Sequence, residues 1–358
     1  MKHSLAVQTL RTVMGALLIG VLFTASSTHA AQGGIPGEVA ALQEDVEKLQ
    51  QQVRRLIEHA RAQDAALTQL TAAVNSQSAL ITRLQQQNQA MQATLECMSK
   101  TGNDVYFTGC NVHVRSGSGA TAGVPNGLGN LIIGYNEDAA EIGYVDPSIK
   151  TGSHNLVVGP GHSYASYGGL VAGSANRVTG PSASVSGGAA NTSAGDLSSV
   201  CGGSFNTAAT QGATVSGGQS NVASGVFSSV FGGLDNKTKG QVAVVVGGRD
   251  NTADGFAATV SGGQGNDSGG DYSGVSGGIA NHASGTWSSV TGGAFNAASG
   301  ERSSVSGGVS NHASGTWTSI SGGRENIASG SASSVSGGQG RIAPGDYDWA
   351  AGGLIQDF

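Results

Sequence analysis

A segment of fifteen residues repeats without insertion along the second half of this chain. Its consensus is S-V-S-G-G-x-x-N-x-A-S-G-x-x-S, and residues 273–288 and 304–318 are near copies of each other. A glycine recurs every fifteen residues between positions 173 and 353, and a small apolar residue does so between positions 185 and 335. Disordered Gly/Ser linkers have no reason to keep such a register. Coils that stack on one another do, so the repeat predicts a solenoid.

The pattern inside one repeat indicates how a coil is built. Two short extended segments, S-V-S and N-x-A-S, alternate with turns that carry glycine, which tolerates left-handed backbone conformations. Because side chains alternate along a strand, Val is expected to point inward and its flanking Ser residues outward. The fold class is therefore an all-β parallel β-roll or solenoid of 15-residue coils over residues 130–358. Imperfect first coils are expected at N-L-I-I-G (130–134) and N-L-V-V-G (155–159).

One asparagine stands at the same position of successive coils. Side chains at equivalent positions of stacked strands lie about 4.8 Å apart, and amide side chains at that spacing bond to one another in ladders. The predicted structural ladder comprises Asn191, Asn206, Asn221, Asn236, Asn251, Asn266, Asn281, Asn296, Asn311 and Asn326.

A second column carries aromatic side chains at the fourteenth repeat position. Its members are Phe227, Tyr272, Trp287, Trp317 and Tyr347. Aromatic residues are enriched at protein interfaces. The column is therefore either the packing seam between protomers or a contact surface for a glycan or protein ligand.

A heptad pattern precedes the repeats. Val39 and Leu42 open the a and d series, and the period of seven holds from residue 39 to residue 98. A sustained heptad predicts a left-handed coiled coil, so residues 36–98 are expected to form a stalk about 90 Å long. A lone helix would leave this apolar stripe in water. Val at a with Leu at d favours two strands, whereas apolar flanking positions suit more, so the strand number stays open.

Residues 1–30 have the features of a secretory signal peptide. A positively charged start precedes an apolar run at 13–23, and Thr28-His29-Ala30 fits a cleavage site. The alternative is a retained membrane anchor, for which the run is short. The prediction is an exported protein, located at the cell surface, outside the cell or in the periplasm, without a transmembrane segment in the mature chain.

Export also bears on the three cysteines. In an oxidising compartment Cys97 and Cys110 are candidates for a disulfide within or between chains, the alternative being free thiols. Cys97 lies just before, and Cys110 within, residues 99–129, which are expected to form a β connector between stalk and roll. Cys201 stands where most repeats carry Ser, and the sequence names no partner for it.

Several function classes find no support in the residues. The formal net charge of −6 comes without a basic patch for nucleic acid. Neither a catalytic constellation nor a metal-ligand spacing stands out, so we expect a non-enzymatic protein without a cofactor. Outward Ser and Thr pairs leave one alternative, a protein that binds a regular lattice such as ice.

A Gly-rich roll with a repeated V-x-G-G core, next to a heptad rod, resembles the head of YadA-like trimeric autotransporter adhesins. The resemblance covers residues 130–353, where the repeat pattern is similar to that of the family's head, and the heptad rod, which is the same kind of element as the family's stalk. It implies a left-handed parallel β-roll assembled as a homotrimer on a coiled-coil stalk, with an adhesin-like role and an extracellular protein or glycan as ligand. The chain differs from the family in its 15-residue period, in a rod that precedes the roll, and in repeats that continue to position 353, where the family carries a β-barrel anchor.

Overall fold

The computed structural model describes residues 36–352 and 354–356. The predicted signal peptide, residues 1–30, lies outside the described residues. The chain divides into two compact units, Met1–Asn111 and Val112–Phe358.

The described part of the first unit begins with one long helix, α1 (Pro36–Thr94), of 59 residues. At 1.5 Å per residue it is about 90 Å long. Most of its heptad side chains are exposed in the single chain, with Leu42, Leu56 and Leu70 each more than 60% accessible. The helix ends four residues before the predicted end of the stalk at 98, so the last heptad positions, Leu95 and Met98, lie beyond it.

A hairpin follows the helix. Strands β1 (Met98–Thr101) and β2 (Asp104–Phe107) pair antiparallel, with Met98 opposite Phe107. Met98 therefore belongs to a strand rather than to the coiled-coil pattern. In the predicted connector, residues 99–129, this hairpin is the regular part, and the next strand starts at Leu131.

The second unit is a parallel β-solenoid of about 13 coils, which confirms the all-β class and the 15-residue period. Its larger sheet has sixteen strands, namely β3 (Leu131–Ile133), β4 (Leu156–Val158), β6 (Leu170–Ala172), β8 (Ser184–Val185), β10 (Ser199–Val200), β12 (Thr214–Val215), β14 (Ser229–Val230), β16 (Val244–Val245), β18 (Thr259–Val260), β20 (Gly274–Val275), β22 (Ser289–Val290), β24 (Ser304–Val305), β26 (Ser319–Ile320), β28 (Ser334–Gly337), β30 (Trp349–Ala351) and β31 (Leu354–Gln356).

The other sheet has thirteen strands, supplied by the N-x-A segment of each coil. They are β5 (Ser163–Tyr164), β7 (Arg177–Val178), β9 (Thr192–Ser193), β11 (Thr207–Ala208), β13 (Val222–Ala223), β15 (Lys237–Thr238), β17 (Thr252–Ala253), β19 (Asp267–Ser268), β21 (His282–Ala283), β23 (Ala297–Ala298), β25 (His312–Ala313), β27 (Ile327–Ala328) and β29 (Ile342–Ala343).

The coils differ from the prediction in three respects. A third row of single-residue parallel bridges runs from Ser174 to Gln339, so each coil has three extended sides rather than two. The first full coils have 14 residues, because Val157 pairs with Val171 and Val171 with Val185, and only then does the spacing become 15. A 3-10 helix (Ala139–Ile142) lies in the excursion between β3 and β4.

The last described strand reverses direction. β31 pairs antiparallel with β30, whereas every other pair in that sheet is parallel. In the described part of the roll predicted over residues 130–358, the last strand thus forms a hairpin rather than another coil.

The core is a thin stack of small side chains. Val200, Val215 and Val230 from the larger sheet face Ala208 and Ala223 from the other, all 0% exposed. Inward Val and outward Ser follow the predicted alternation. A glycine column lets coils approach closely, since a Cβ on Gly240 would collide with the backbone of Gly255 in the next coil.

Among the described residues, no helix combines the length and apolar content that crossing a bilayer requires.

Candidate functional site

The predicted asparagines all lie in one buried column between the bridge row and the thirteen-stranded sheet. Asn251 is typical. Its Nδ2 donates to Gly247 O at 2.9 Å and to Gly263 O at 3.0 Å. Its Oδ1 accepts the backbone N–H of Asn266, also at 3.0 Å. Each amide thus bonds within its own coil and to the next coil, so the column holds the coils in register.

The column begins with a residue that the sequence did not indicate. His162, 1% exposed, occupies the asparagine position of its coil. Its Nε2 lies 3.0 Å from Val158 O, and its Nδ1 accepts the backbone N–H of Asn176 at 3.2 Å. With the proton on Nε2, the ring reproduces the donor and the acceptor of an Asn side chain. Burial lowers the pKa of His162, against the opposing effect of its hydrogen bonds.

Cys97 and Cys110 are joined by a disulfide within the chain, with Cα atoms 6.0 Å apart. The bond closes the β1–β2 hairpin onto the end of α1, and Thr108 N donates to Cys97 O at 2.7 Å. Cys201 is an exposed free thiol on the outer face of the larger sheet.

The aromatic column occupies a turn with unusual backbone geometry. Trp287, Trp317 and Tyr347 have φ values of 62°, 64° and 64°, in the left-handed region that favours glycine. Phe227 and Tyr272 share this geometry, with φ of 56° and 58°. All five side chains are largely exposed, at 45% to 71%. The turn thus displays large side chains along one edge of the solenoid, at spacings of one to three coils.

Part of this column is stacked. The rings of Tyr272 and Trp287 are parallel within 6° with centroids 4.2 Å apart, and Phe256 meets Tyr272 edge-on at 5.2 Å. Tyr272 and Trp287 are one coil apart, so these ring faces point along the coil stack and their edges point outward. The faces that Tyr272 and Trp287 turn toward each other are therefore not available to a glycan.

Arg302 also belongs to the column, although it is not aromatic. It follows Trp287 by one coil and precedes Trp317 by one coil, and its Cζ lies 4.3 Å from the centroid of the Trp317 ring. A planar guanidinium over an indole face is a cation–π contact. The positions of this column therefore accept both aromatic rings and a planar cation.

The outer face of the larger sheet carries rows of hydroxyls. On this face, the strands β22, β24, β26 and β28, with the residues that directly follow the first three, place two hydroxyl residues per coil in register. They are Ser289, Thr291, Ser304, Ser306, Ser319, Ser321, Ser334 and Ser336. Toward the N-terminus, Phe231, Val244 and Val246 interrupt the rows, as the sequence indicated.

Charged pairs lie on the outer face of the thirteen-stranded sheet. Lys239 Nζ is 2.7 Å from Asp254 Oδ2, and His282 Nδ1 is 3.0 Å from Asp267 Oδ2. Burial raises the pKa of Asp267, while His282 acts in the opposite direction. In the part of the chain that the structure describes, no group of three His, Cys, Asp or Glu side chains is arranged to hold a metal ion.

A scan against known protein families finds no match to this chain. A search of the curated proteins finds no relative either.

Proposed function

We propose that this chain is an exported, non-enzymatic, adhesin-like protein that presents a trimeric β-roll on a coiled-coil stalk, in the manner of YadA-like heads. The observation that carries the proposal is the exposed apolar stripe of α1. A 59-residue helix whose Leu and Val side chains stand in water needs a partner with the same periodicity. Copies of the same chain supply it.

The polar positions of the stripe favour a parallel, in-register assembly of identical chains. Gln63 and Gln77 occupy d positions and Asn88 an a position. In a parallel homo-oligomer each meets its own copies and forms hydrogen bonds across the seam, which fixes register. A pairing shifted by one heptad would instead place each polar side chain against an apolar one, for example Gln63 against Leu70.

The resemblance also gains support from the first coils. Two coils, between Val157 and Val185, have 14 residues, which is the usual repeat length of YadA-like heads. The thin Val/Ala core supports association as well, because a coil this small buries little apolar surface by itself. We therefore favour three chains over two.

Light scattering on the secreted full-length protein tests the assembly. We expect a trimer mass. Leu70→Asp places a charge at a d position and should dissociate the trimer, whereas Ala72→Asp places the same charge at an outward f position and should leave the mass unchanged. A monomer mass for the unaltered protein would refute the stalk, and a dimer mass would refute the YadA-like assembly.

Export is tested separately. Cell fractionation with an antibody against the solenoid should find the protein at the cell surface, in the medium or in the periplasm, with an N-terminus at Ala31. Retention of the intact chain in the cytoplasm would contradict the proposal.

A second candidate function is lattice binding, favoured by the hydroxyl rows of β22 to β28. Hydroxyls spaced about 4.8 Å across strands and about 6.7 Å along them form a regular two-dimensional array. Thermal hysteresis of a freezing solution measures such binding directly. Its absence at high protein concentration would eliminate this function.

A further inference from the structure

The aromatic column has an open slot between Trp317 and Tyr347. These residues are two coils apart, so equivalent atoms are separated by about 9.6 Å. The residue between them is Ala332, whose methyl group leaves the space between the rings unfilled. Trp317 is 57% exposed and Tyr347 is 71% exposed.

The preceding stretch of the column shows what such a slot accepts. Trp287 and Trp317 are also two coils apart, and the residue between them is Arg302. Its guanidinium lies 4.3 Å from the Trp317 ring centroid. Ala332 and Arg302 have the same backbone conformation, with φ of 56° at both. The slot at Ala332 is therefore equivalent in backbone geometry to the position of Arg302, but Ala332 supplies no guanidinium to fill it.

A negative charge lies beside the slot. Asp346 Oδ1 accepts the backbone N–H of Ser331 at 2.8 Å, which places the carboxylate next to Ala332 along the edge of the solenoid. A cation midway between the two rings would be about 4.8 Å from each, within the roughly 6 Å over which cation–π attraction acts. Two aromatic rings and one carboxylate therefore surround the same point.

We propose that the slot formed by Trp317, Ala332, Tyr347 and Asp346 binds the guanidinium of an arginine side chain presented by a protein partner. A flat guanidinium fits between two rings and pairs with a carboxylate, whereas a lysine ammonium is compact, more strongly hydrated and does not stack. The site depends on the coil geometry alone. It requires neither export nor the coiled coil, so it goes beyond the proposed function.

The test is a titration of the full-length protein labelled with 5-fluorotryptophan, whose three tryptophans give three fluorine resonances. The probe is the peptide acetyl-Gly-Arg-Gly-amide, and the comparison is the same peptide with citrulline, which has the shape of arginine without its charge. We expect a saturable shift of the Trp317 resonance with arginine and at least tenfold weaker binding with citrulline.

Three variants sharpen the test. Ala332→Arg supplies the missing guanidinium from the chain itself, as Arg302 does, and should abolish peptide binding. Ala257→Arg adds the same charge to the same column five coils away and should leave binding unchanged. Asp346→Asn keeps the acceptor for Ser331 but removes the charge, and should weaken binding about three- to tenfold.

Three results would overturn the proposal. They are the absence of a saturable Trp317 shift in the unaltered protein, equal binding of the citrulline peptide, and undiminished binding by Ala332→Arg. Because all the variants lie on the exposed turn, an unchanged melting temperature verifies that each one folds.

Discussion

Replacing one asparagine of the buried ladder tests the architecture at a single residue. In Asn251→Leu the side chain keeps the same branched arrangement of heavy atoms but loses every hydrogen bond. Asn266 N donates to Asn251 Oδ1 at 3.0 Å, and Gly247 O accepts from Asn251 Nδ2 at 2.9 Å. Both groups would be left without these partners inside the solenoid. Gly263 O loses one donor but still accepts the N–H of Arg249 at 2.9 Å.

The expected cost follows from those two groups. A buried amide or carbonyl without a partner costs about 1–3 kcal/mol. The added apolar surface of Leu offsets part of this, since burying a methylene contributes about 0.8 kcal/mol. The net loss in the free energy of unfolding is therefore about 2–4 kcal/mol. For a unit of this size that corresponds to a fall of about 5–15 °C in melting temperature.

The measurement is thermal unfolding followed by circular dichroism, with Arg249→Ala as the matched control. Arg249 lies two residues earlier in the same coil, and its side chain is exposed, so its removal should change the melting temperature little. If Asn251→Leu melts within about 2 °C of the unaltered protein, the ladder does not hold the coils together and the reasoning is wrong.

Four further substitutions test other parts of the solenoid. The pKa of His162 in the folded protein is lower than the unfolded value of roughly 6.5, so the protein loses stability as pH drops below that value. His162→Asn removes this group and should reduce the fall in melting temperature at acidic pH. If the melting temperatures of the variant and the unaltered protein fall equally with pH, the prediction is wrong. Ser303 has a buried hydroxyl without a partner among the described residues, so Ser303→Ala should leave the free energy of unfolding in denaturant unchanged or raise it. The matched comparison is Ser198, whose Oγ bonds Ser193 Oγ and Gly195 O, both at 2.7 Å. Ser198→Ala should therefore lower the free energy of unfolding by about 1–3 kcal/mol. Val242 is a β-branched residue at φ 52°, so Val242→Asn should stabilise by about 1 kcal/mol in the same assay, and a loss would show that the turn is not strained.

The sequence predicted those features that every coil repeats. Val, Asn and Gly recur in fixed columns, so their inward positions and the stacking of coils followed from the period. The features that the sequence did not predict occur where one coil departs from the consensus. His162 takes the asparagine position in a 14-residue coil, where counting by fifteen does not find it, and Arg302 is unlike its aromatic neighbours although its planar group serves the same stack. The bridge row was missed because its residues, among them Gln219 and Leu234, share no chemical property.

The end of α1 was missed for a different reason. The heptad continues through Leu95 and Met98, and helix propensity alone would extend the helix over both. The disulfide between Cys97 and Cys110 and the pairing of Met98 with Phe107 draw this segment into a hairpin instead. A tertiary constraint thirteen residues away in sequence therefore overrides the local pattern.

The two ends of the asparagine column differ chemically, and this difference gives the solenoid a direction. Each member must donate toward its own coil and accept an N–H from the next coil. His162 can do both, so it can begin the column. Arg341 occupies the asparagine position of the last coil, and its backbone N–H donates to Asn326 Oδ1 at 2.8 Å. Its guanidinium has no acceptor, so a further coil would find no oxygen for its N–H. The column therefore stops at Arg341, one coil before the point where β31 turns back antiparallel on β30.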